Sequence, residues 1–236
     1  MKNKPEIIGI ITAMSCEAET IRPLLTDVKK EKIGYGEFIS GKLGNTRVVL
    51  SVCGVGKVFA GVCTSIMIVN FGCTHIFNIG VAGALTQDLD IGDTVCASAT
   101  VEYDMDTSAA GDLVGLISGI NVVEMPCHEQ TLGQIERFFL TKGISLKKGI
   151  IASGDRFLKG ADERLPLAEQ FGACAGEMEG AAVGQICYAN SVPYNVLRII
   201  TDKADPDVGQ QYTDNLEKCA SMLALTFAEY ICSRDD

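Results

Sequence analysis

Short runs of apolar, often β-branched residues recur along this chain, and longer stretches with helical spacing separate most of them. The strand-like runs are Ile7 to Thr12, Thr46 to Cys53, His75 to Ile79, Thr94 to Ala99, Gly149 to Ala152 and Tyr194 to Thr201. A strand that is apolar at nearly every residue is covered on both faces, and strands alternating with helices build an α/β sheet. The helical stretches are Ser15 to Leu25, Val58 to Val69, Glu129 to Lys142, Met178 to Ala189 and Asp214 to Ile231. In the third of these, Leu132, Ile135, Phe138 and Phe139 fall on one face. No linker, shift in composition or internal repeat divides the 236 residues. The pattern predicts one domain over 1–236, a three-layer α/β/α sandwich around a central twisted mixed sheet.

The 10 cysteines test that reading. No two form C-x-x-C, and with only His75 and His128 present no zinc pattern appears. Most sit in apolar stretches, where a free thiol behaves as a small hydrophobe. They read as core thiols of a reducing, cytoplasmic compartment. The run after Met1 to Glu6 is too short for a signal-peptide core, and no run reaches the roughly 20 apolar residues of a membrane span. A net charge of -10 disfavours binding to phosphate backbones, so neither nucleic acid nor membrane is an expected partner.

Ligands of α/β sheets collect at the carboxyl ends of strands. Glycines and carboxylates recur there in this sequence. Ala13-Met14-Ser15-Cys16-Glu17 follows the first strand, Gly54-Val55-Gly56-Lys57 the second and Gly80-Val81-Ala82-Gly83-Ala84 the third. Ser153-Gly154-Asp155-Arg156-Phe157-Leu158 and Asp202-Lys203-Ala204-Asp205 follow two later ones. Gly54 to Lys57 is not a P-loop, because Ser51 and Val58 stand at positions that need Gly and Ser or Thr. It is not a dinucleotide loop either, with Phe59 at the third glycine position. Its glycines suit a tight turn that lets backbone approach a ligand.

Glu177-Met178-Glu179 opens a helix, and a helix turns two residues apart away from each other, so one of the two acids is expected to face a site. At a helix start such acids also serve simply as dipole contacts. Asp202 ends an apolar strand, either as a solvated cap or as a partly desolvated proton donor. Arg198 lies inside that strand, and a buried arginine needs a carboxylate partner, for which Glu17 is the natural candidate.

In this order, seven segments resemble the 5′-methylthioadenosine/S-adenosylhomocysteine nucleosidase family of the purine nucleoside phosphorylase superfamily. They are Ile10 to Met14 with Glu17, Gly54 to Val58, Asn78 to Gly83, Ile91-Gly92-Asp93, Ser153-Gly154-Asp155-x-Phe157, Glu177 to Ala182, and Arg198-x-x-x-Asp202-x-Ala204-Asp205. The resemblance implies a nucleoside phosphorylase-like fold and hydrolysis of the N-glycosidic bond of 5′-thio adenine nucleosides, a step of nucleoside catabolism and methionine salvage. It implies no metal or organic cofactor. By the same resemblance, Asp202 protonates the adenine, Glu17 takes the proton of an attacking water, and Arg198 holds that water and orients Glu17. Glu179 binds the ribose hydroxyls beside Glu177, Met178 packs on the sugar, and Phe157 stacks on adenine while the Leu158 backbone meets its edge. Ala82 and Gly83 line the base and ribose region, with Met14 nearby, and Val55 and Tyr212 line the 5′ side.

Two departures fall on that 5′ side. Tyr212 stands where the family usually has Phe, and Ala109 to Pro126 does not follow the usual pattern. The resemblance also implies a homodimer in which the 103–126 segment lies near the partner's 5′ pocket. Two other reactions stay open. One is phosphorolysis, which Glu17 disfavours by repelling phosphate. The other is hydrolysis of an adenine nucleoside with another 5′ group, of the 5′-deoxyadenosine or futalosine type.

Overall fold

The computed structural model describes residues 5–203 and 207–235. Residues 1–4 and the Ala204-Asp205 end of the last motif lie outside the described residues. The described residues form ten strands: β1 (Ile8–Thr12), β2 (Thr26–Ile33), β3 (Gly36–Leu43), β4 (Thr46–Val52), β5 (His75–Ala84), β6 (Thr94–Glu102), β7 (Met125–Pro126), β8 (Leu146–Ser153), β9 (Ala173–Glu177) and β10 (Tyr194–Asp202). The α-helices are α1 (Ser15–Ala18), α2 (Lys57–Val69), α3 (Glu129–Thr141), α4 (Ala161–Phe171), α5 (Gly180–Ala189) and α6 (Val208–Cys232).

The strands make one mixed sheet in the order β10-β6-β8-β9-β5-β1-β4-β3-β2, with β7 paired to β6, and β10 pairs with β5 as well. Strands β5, β10, β6, β8 and β9 therefore close into a ring, while β1, β4, β3 and β2 extend from it as an open wing. The α/β class and the mixed sheet are as expected; the closure is not visible in a strand pattern.

Alternation along a strand explains the layers. In β1, Ile8 and Ile10 join the core beneath α6, while Ile11 joins the core beneath α2. In β10, Leu197 and Ile199 point to the first core, and Val196 and Ile200 to the second. That is why these strands read as unbroken apolar runs. Full burial of each such side chain stabilises the fold by about 1.5–3 kcal/mol. All ten cysteines are free thiols, most of them buried.

Several elements differ from the sequence reading. The expected helix Ser15 to Leu25 is a single turn, α1, followed by a 3-10 turn over Arg22–Leu24 where Pro23 removes a backbone donor. The β2–β3 hairpin, β9 and α4 were not expected. Strand β2 (TDVKKEKI) is largely exposed, so no buried alternation marks it. Helix α4 is bracketed by Gly160 and Gly172, both at φ 62°, and carries Pro166 inside. Most consequential is β5: Gly80 to Ala84 does not follow the strand but continues it.

Candidate active site

Where β1, β5, β9 and β10 end, a cleft opens. Met14, Glu17, Val55, Ala82, Gly83, Phe157, Leu158, Glu177, Met178, Glu179, Asp202 and Tyr212 all line it. So does Arg164, which the sequence reading did not single out. Arg198 does not reach the cleft wall; it is fully buried in β10.

Glu17 sits in the first turn of α1, with its carboxylate folded back onto the chain. Oε2 accepts the backbone N–H groups of Ala13 and Met14, both at 2.9 Å, and Oε1 accepts that of Val81 at 3.1 Å. Burial raises the Glu17 pKa above its ordinary value, and the three amides with Arg198 offset this only in part. A carboxylate so held is a stronger base than an exposed one.

Arg198 does not bond Glu17. Its guanidinium donates to the carboxylate of Glu177 and to Asn78, both side chain and carbonyl. The partner expected from sequence is thus replaced by an acid on β9, which reaches β10 across the ring. The Arg198 Nε is buried and has no hydrogen-bond partner among the described residues. Glu177 itself accepts from the Ser153 hydroxyl, from Arg198 and from the N–H groups of Glu179 and Gly180. Its carboxylate reaches the cleft but is already engaged by the protein.

Glu179 is the acid with capacity to spare. It precedes α5, and its Oε1 accepts the N–H of Gly56 at 2.8 Å. Gly56 has φ 103°, a conformation that favours glycine, so the Gly54 to Lys57 turn serves to aim this amide. Burial, then the neighbouring Glu177 charge, raises the pKa of Glu179. Lys57 anchors the same turn: its ammonium meets Glu102 at 3.1 Å and Asp104 at 2.5 Å.

Asp202 is presented by a bulge. Opposite β5, Ile200 pairs with Ala82 and Asp202 with Gly83, so Thr201 is the extra residue. The carboxyl is buried. Thr201 donates its hydroxyl to Oδ1 at 2.7 Å, and Arg164 pairs with Oδ2. The glycines of β5 make room for both acids. A Cβ at Gly80 would collide with the Glu17 carboxylate, and one at Gly83 would stand 2.7 Å from both Asp202 Oδ2 and Arg164 Nη1. The sequence reading placed these glycines after the strand; the structure keeps them within it, as clearances.

Phe157 and Tyr212 close the mouth, with ring centroids 5.3 Å apart and an interplanar angle of 78°. The Tyr212 hydroxyl lies 3.4 Å from the Met14 sulfur, which partners the group that departs from the family pattern. The Leu158 carbonyl is taken by Arg164. Arg164 could have been suspected from Gly160-Ala161-Asp162-Glu163, a helix start with acids in its first turn.

A sheet half closed on itself, with acids gathered where its strands end, has known counterparts. The model of the Phosphorylase superfamily matches residues 7–233. The chain is 37% identical over 199 residues to a 5′-methylthioadenosine/S-adenosylhomocysteine nucleosidase of Haemophilus ducreyi, covering 84% of this chain and 85% of that one. It is 35% identical over 218 residues to an aminodeoxyfutalosine nucleosidase of Helicobacter pylori, covering 90% and 93%. A mutant of the Helicobacter pylori nucleosidase, solved with 5′-methylthioadenosine in its active site, superposes with a TM-score of 0.93 at 31% identity, over 98% of this chain and 100% of that one. The chain therefore belongs to the phosphorylase superfamily and, within it, to the 5′-methylthioadenosine/S-adenosylhomocysteine nucleosidase family.

Proposed function

We propose that this protein hydrolyses the N-glycosidic bond of 5′-thio-substituted adenine nucleosides, methylthioadenosine and S-adenosylhomocysteine, releasing adenine and a thioribose. The observation that carries this is the convergence of Glu17, Glu179 and Asp202 on one cleft, in a chain of this family.

As the bond between the sugar and adenine breaks, its electron pair goes to the base. A proton from Asp202 reaches adenine N7, because a neutral base leaves far better than an anion. The sugar gains oxocarbenium character and is attacked by water, whose proton passes to Glu17. Each proton transfer contributes roughly 10²–10⁴-fold. Two carboxyls acting on opposite sides of the scissile bond follow the logic of inverting glycosidases. Glu179 holds the ribose hydroxyls, Met178 packs on the sugar, Phe157 stacks on the base, and the Leu158 backbone meets its edge. Val55 and Tyr212 border the 5′ group. Arg198, buried away from the cleft wall, acts through Glu177 and Asn78, which its guanidinium holds, rather than on the attacking water directly.

The 35% identity to an aminodeoxyfutalosine nucleosidase favours a second substrate class, an adenine nucleoside with a larger 5′ group. Turnover of methylthioadenosine, S-adenosylhomocysteine, aminodeoxyfutalosine and 5′-deoxyadenosine, with and without phosphate, decides between them. Free sugar in both conditions is expected. Sugar phosphate formed only with phosphate would make the enzyme a phosphorylase instead.

One family model spanning nearly the whole chain supports a single domain. The exposed Val58, Phe59 and Val62 on α2, with Tyr35 on the adjoining hairpin, support a homodimer that covers this face. In that dimer the 103–126 segment, tied to α2 through Lys57 and Asp104, lies near the partner's 5′ pocket. Ten free thiols suit a cytoplasmic enzyme of methionine salvage. No helix among the described residues is long and apolar enough to cross a membrane.

A further inference from the structure

The geometry points to Arg164 as the residue that positions the catalytic acid. This rests on the reading of Asp202 as the proton donor to the purine. Arg164 is 2% exposed, on the first turns of α4, and its guanidinium holds three groups at once. Nη2 pairs with Asp202 Oδ2 and donates to the Leu158 carbonyl at 3.0 Å. Nε donates to the same carbonyl at 3.3 Å, and Nη1 to the Ala84 carbonyl at 3.1 Å. One rigid fork thus fixes the acid relative to the end of β5 and to the loop expected to cradle the base. Lysine, a point charge on a flexible stem, cannot satisfy all three acceptors.

The arrangement also assigns the proton to one oxygen. In a protonated carboxyl the hydroxyl oxygen is the weaker acceptor, so a fixed donor on one oxygen favours the proton on the other. Arginine is always a donor, so Oδ2 is committed to Arg164. The Thr201 hydroxyl on Oδ1 has a second acceptor, the Ala82 carbonyl at 3.3 Å, and can turn to it. Oδ1 is therefore the oxygen that carries the proton to adenine. When that proton leaves with the base, the negative charge left on Asp202 faces a fixed cation in a dry site, where such stabilisation is strongest.

A substrate with a leaving group that needs no proton separates this role from a merely structural one. The pair is methylthioadenosine and the p-nitrophenyl glycoside of 5-methylthioribose, each assayed with the full-length enzyme, Asp202→Asn, Arg164→Leu and Arg164→Lys. Arg164→Leu is expected to lose about 10²-fold in kcat on methylthioadenosine, within the range for one proton transfer. It should cleave the p-nitrophenyl glycoside near the unaltered rate, as should Asp202→Asn. Arg164→Lys should fall between, on methylthioadenosine alone. If Arg164→Leu slows both substrates alike, or neither, Arg164 does not act through the acid and the proposal fails. If Asp202→Asn slows both alike, the assignment of Asp202 is what has failed. Should Arg164→Leu not fold, Arg164→Lys decides: full activity on both substrates, or equal loss on both, overturns the proposal.

Discussion

Glu17 and Asp202 are both buried, yet they are held by different materials. Glu17 rests on three backbone amides, two from its own turn and one from β5. Asp202 rests on side chains, Arg164 from α4 and Thr201 beside it. Backbone donors survive every substitution but proline, so the Glu17 end depends on no partner side chain, only on the space that Gly80 leaves for it. The Asp202 end depends on a residue 38 positions away that must be an arginine. The two ends therefore differ in how many single changes can disable them, and that difference can be probed.

The largest effects are expected from the carboxyls themselves. Glu17→Gln and Asp202→Asn should each lower kcat by roughly 10²–10⁴-fold on methylthioadenosine. A loss below tenfold at either would remove that acid from the mechanism.

Next come the clearances. Gly80→Ala drives a methyl group into a carboxylate locked by amides, whereas Gly83→Ala meets two side chains, one of them on a long stem. Overpacking costs about 1–3 kcal/mol, equivalent to about 5–150-fold if it all falls on the transition state. Gly80→Ala should be the worse of the two in kcat/KM. The reverse order would mean that the amide cradle yields more easily than the arginine fork.

The pH profile separates the ends further. Burial raises the Glu17 pKa, and only the carboxylate accepts a proton. Activity should therefore fall with decreasing pH at a midpoint above that of an ordinary glutamate, near 4.5. An acid limb of kcat/KM at or below that value would contradict the buried base.

The smallest effect expected is on stability. A raised carboxyl pKa means that the folded chain binds the proton more tightly than the unfolded one. Stability then declines as pH rises from the unfolded value, 4.5, through the raised folded value. Glu179→Gln removes that penalty, because Gly56 asks for only one acceptor. Its Tm at neutral pH should rise by about 2–4 °C for each kcal/mol recovered, and by less near pH 4, while turnover falls. A Tm lowered at neutral pH would show that the charged form stabilises the fold.

Legibility in the sequence follows the same division. Of the strands that feed the cleft, β1, β5 and β10 were readable because their alternate residues enter two apolar cores, as Ile10 and Ile11 do, and only β9 was not. Glu17, Glu179 and Asp202 stood out as acids beside such strands. Arg164 did not, because α4 has Pro166 in its middle and only a weak apolar stripe. The partner of Arg198 was misassigned for a related reason. The closing of β9 onto β5 and β8 brings Glu177 to it, and no periodicity reports a ring. Gly80 and Gly83 ended the strand too early in the sequence reading, and here each removes a Cβ that a carboxyl cannot share.

The ring of β5, β10, β6, β8 and β9 has a further consequence, at the far side of the sheet. Strands paired on both sides offer no template to another chain, so the open wing carries the exposure, ending at β2. That strand carries Lys29, Lys30 and Lys32 against Asp27 and Glu31, a mixed but net positive edge. Like charges on an edge repel an incoming copy of the same edge. The stretch that looked least like a strand thus carries the charges that disfavour edge-to-edge pairing at the sheet's open end.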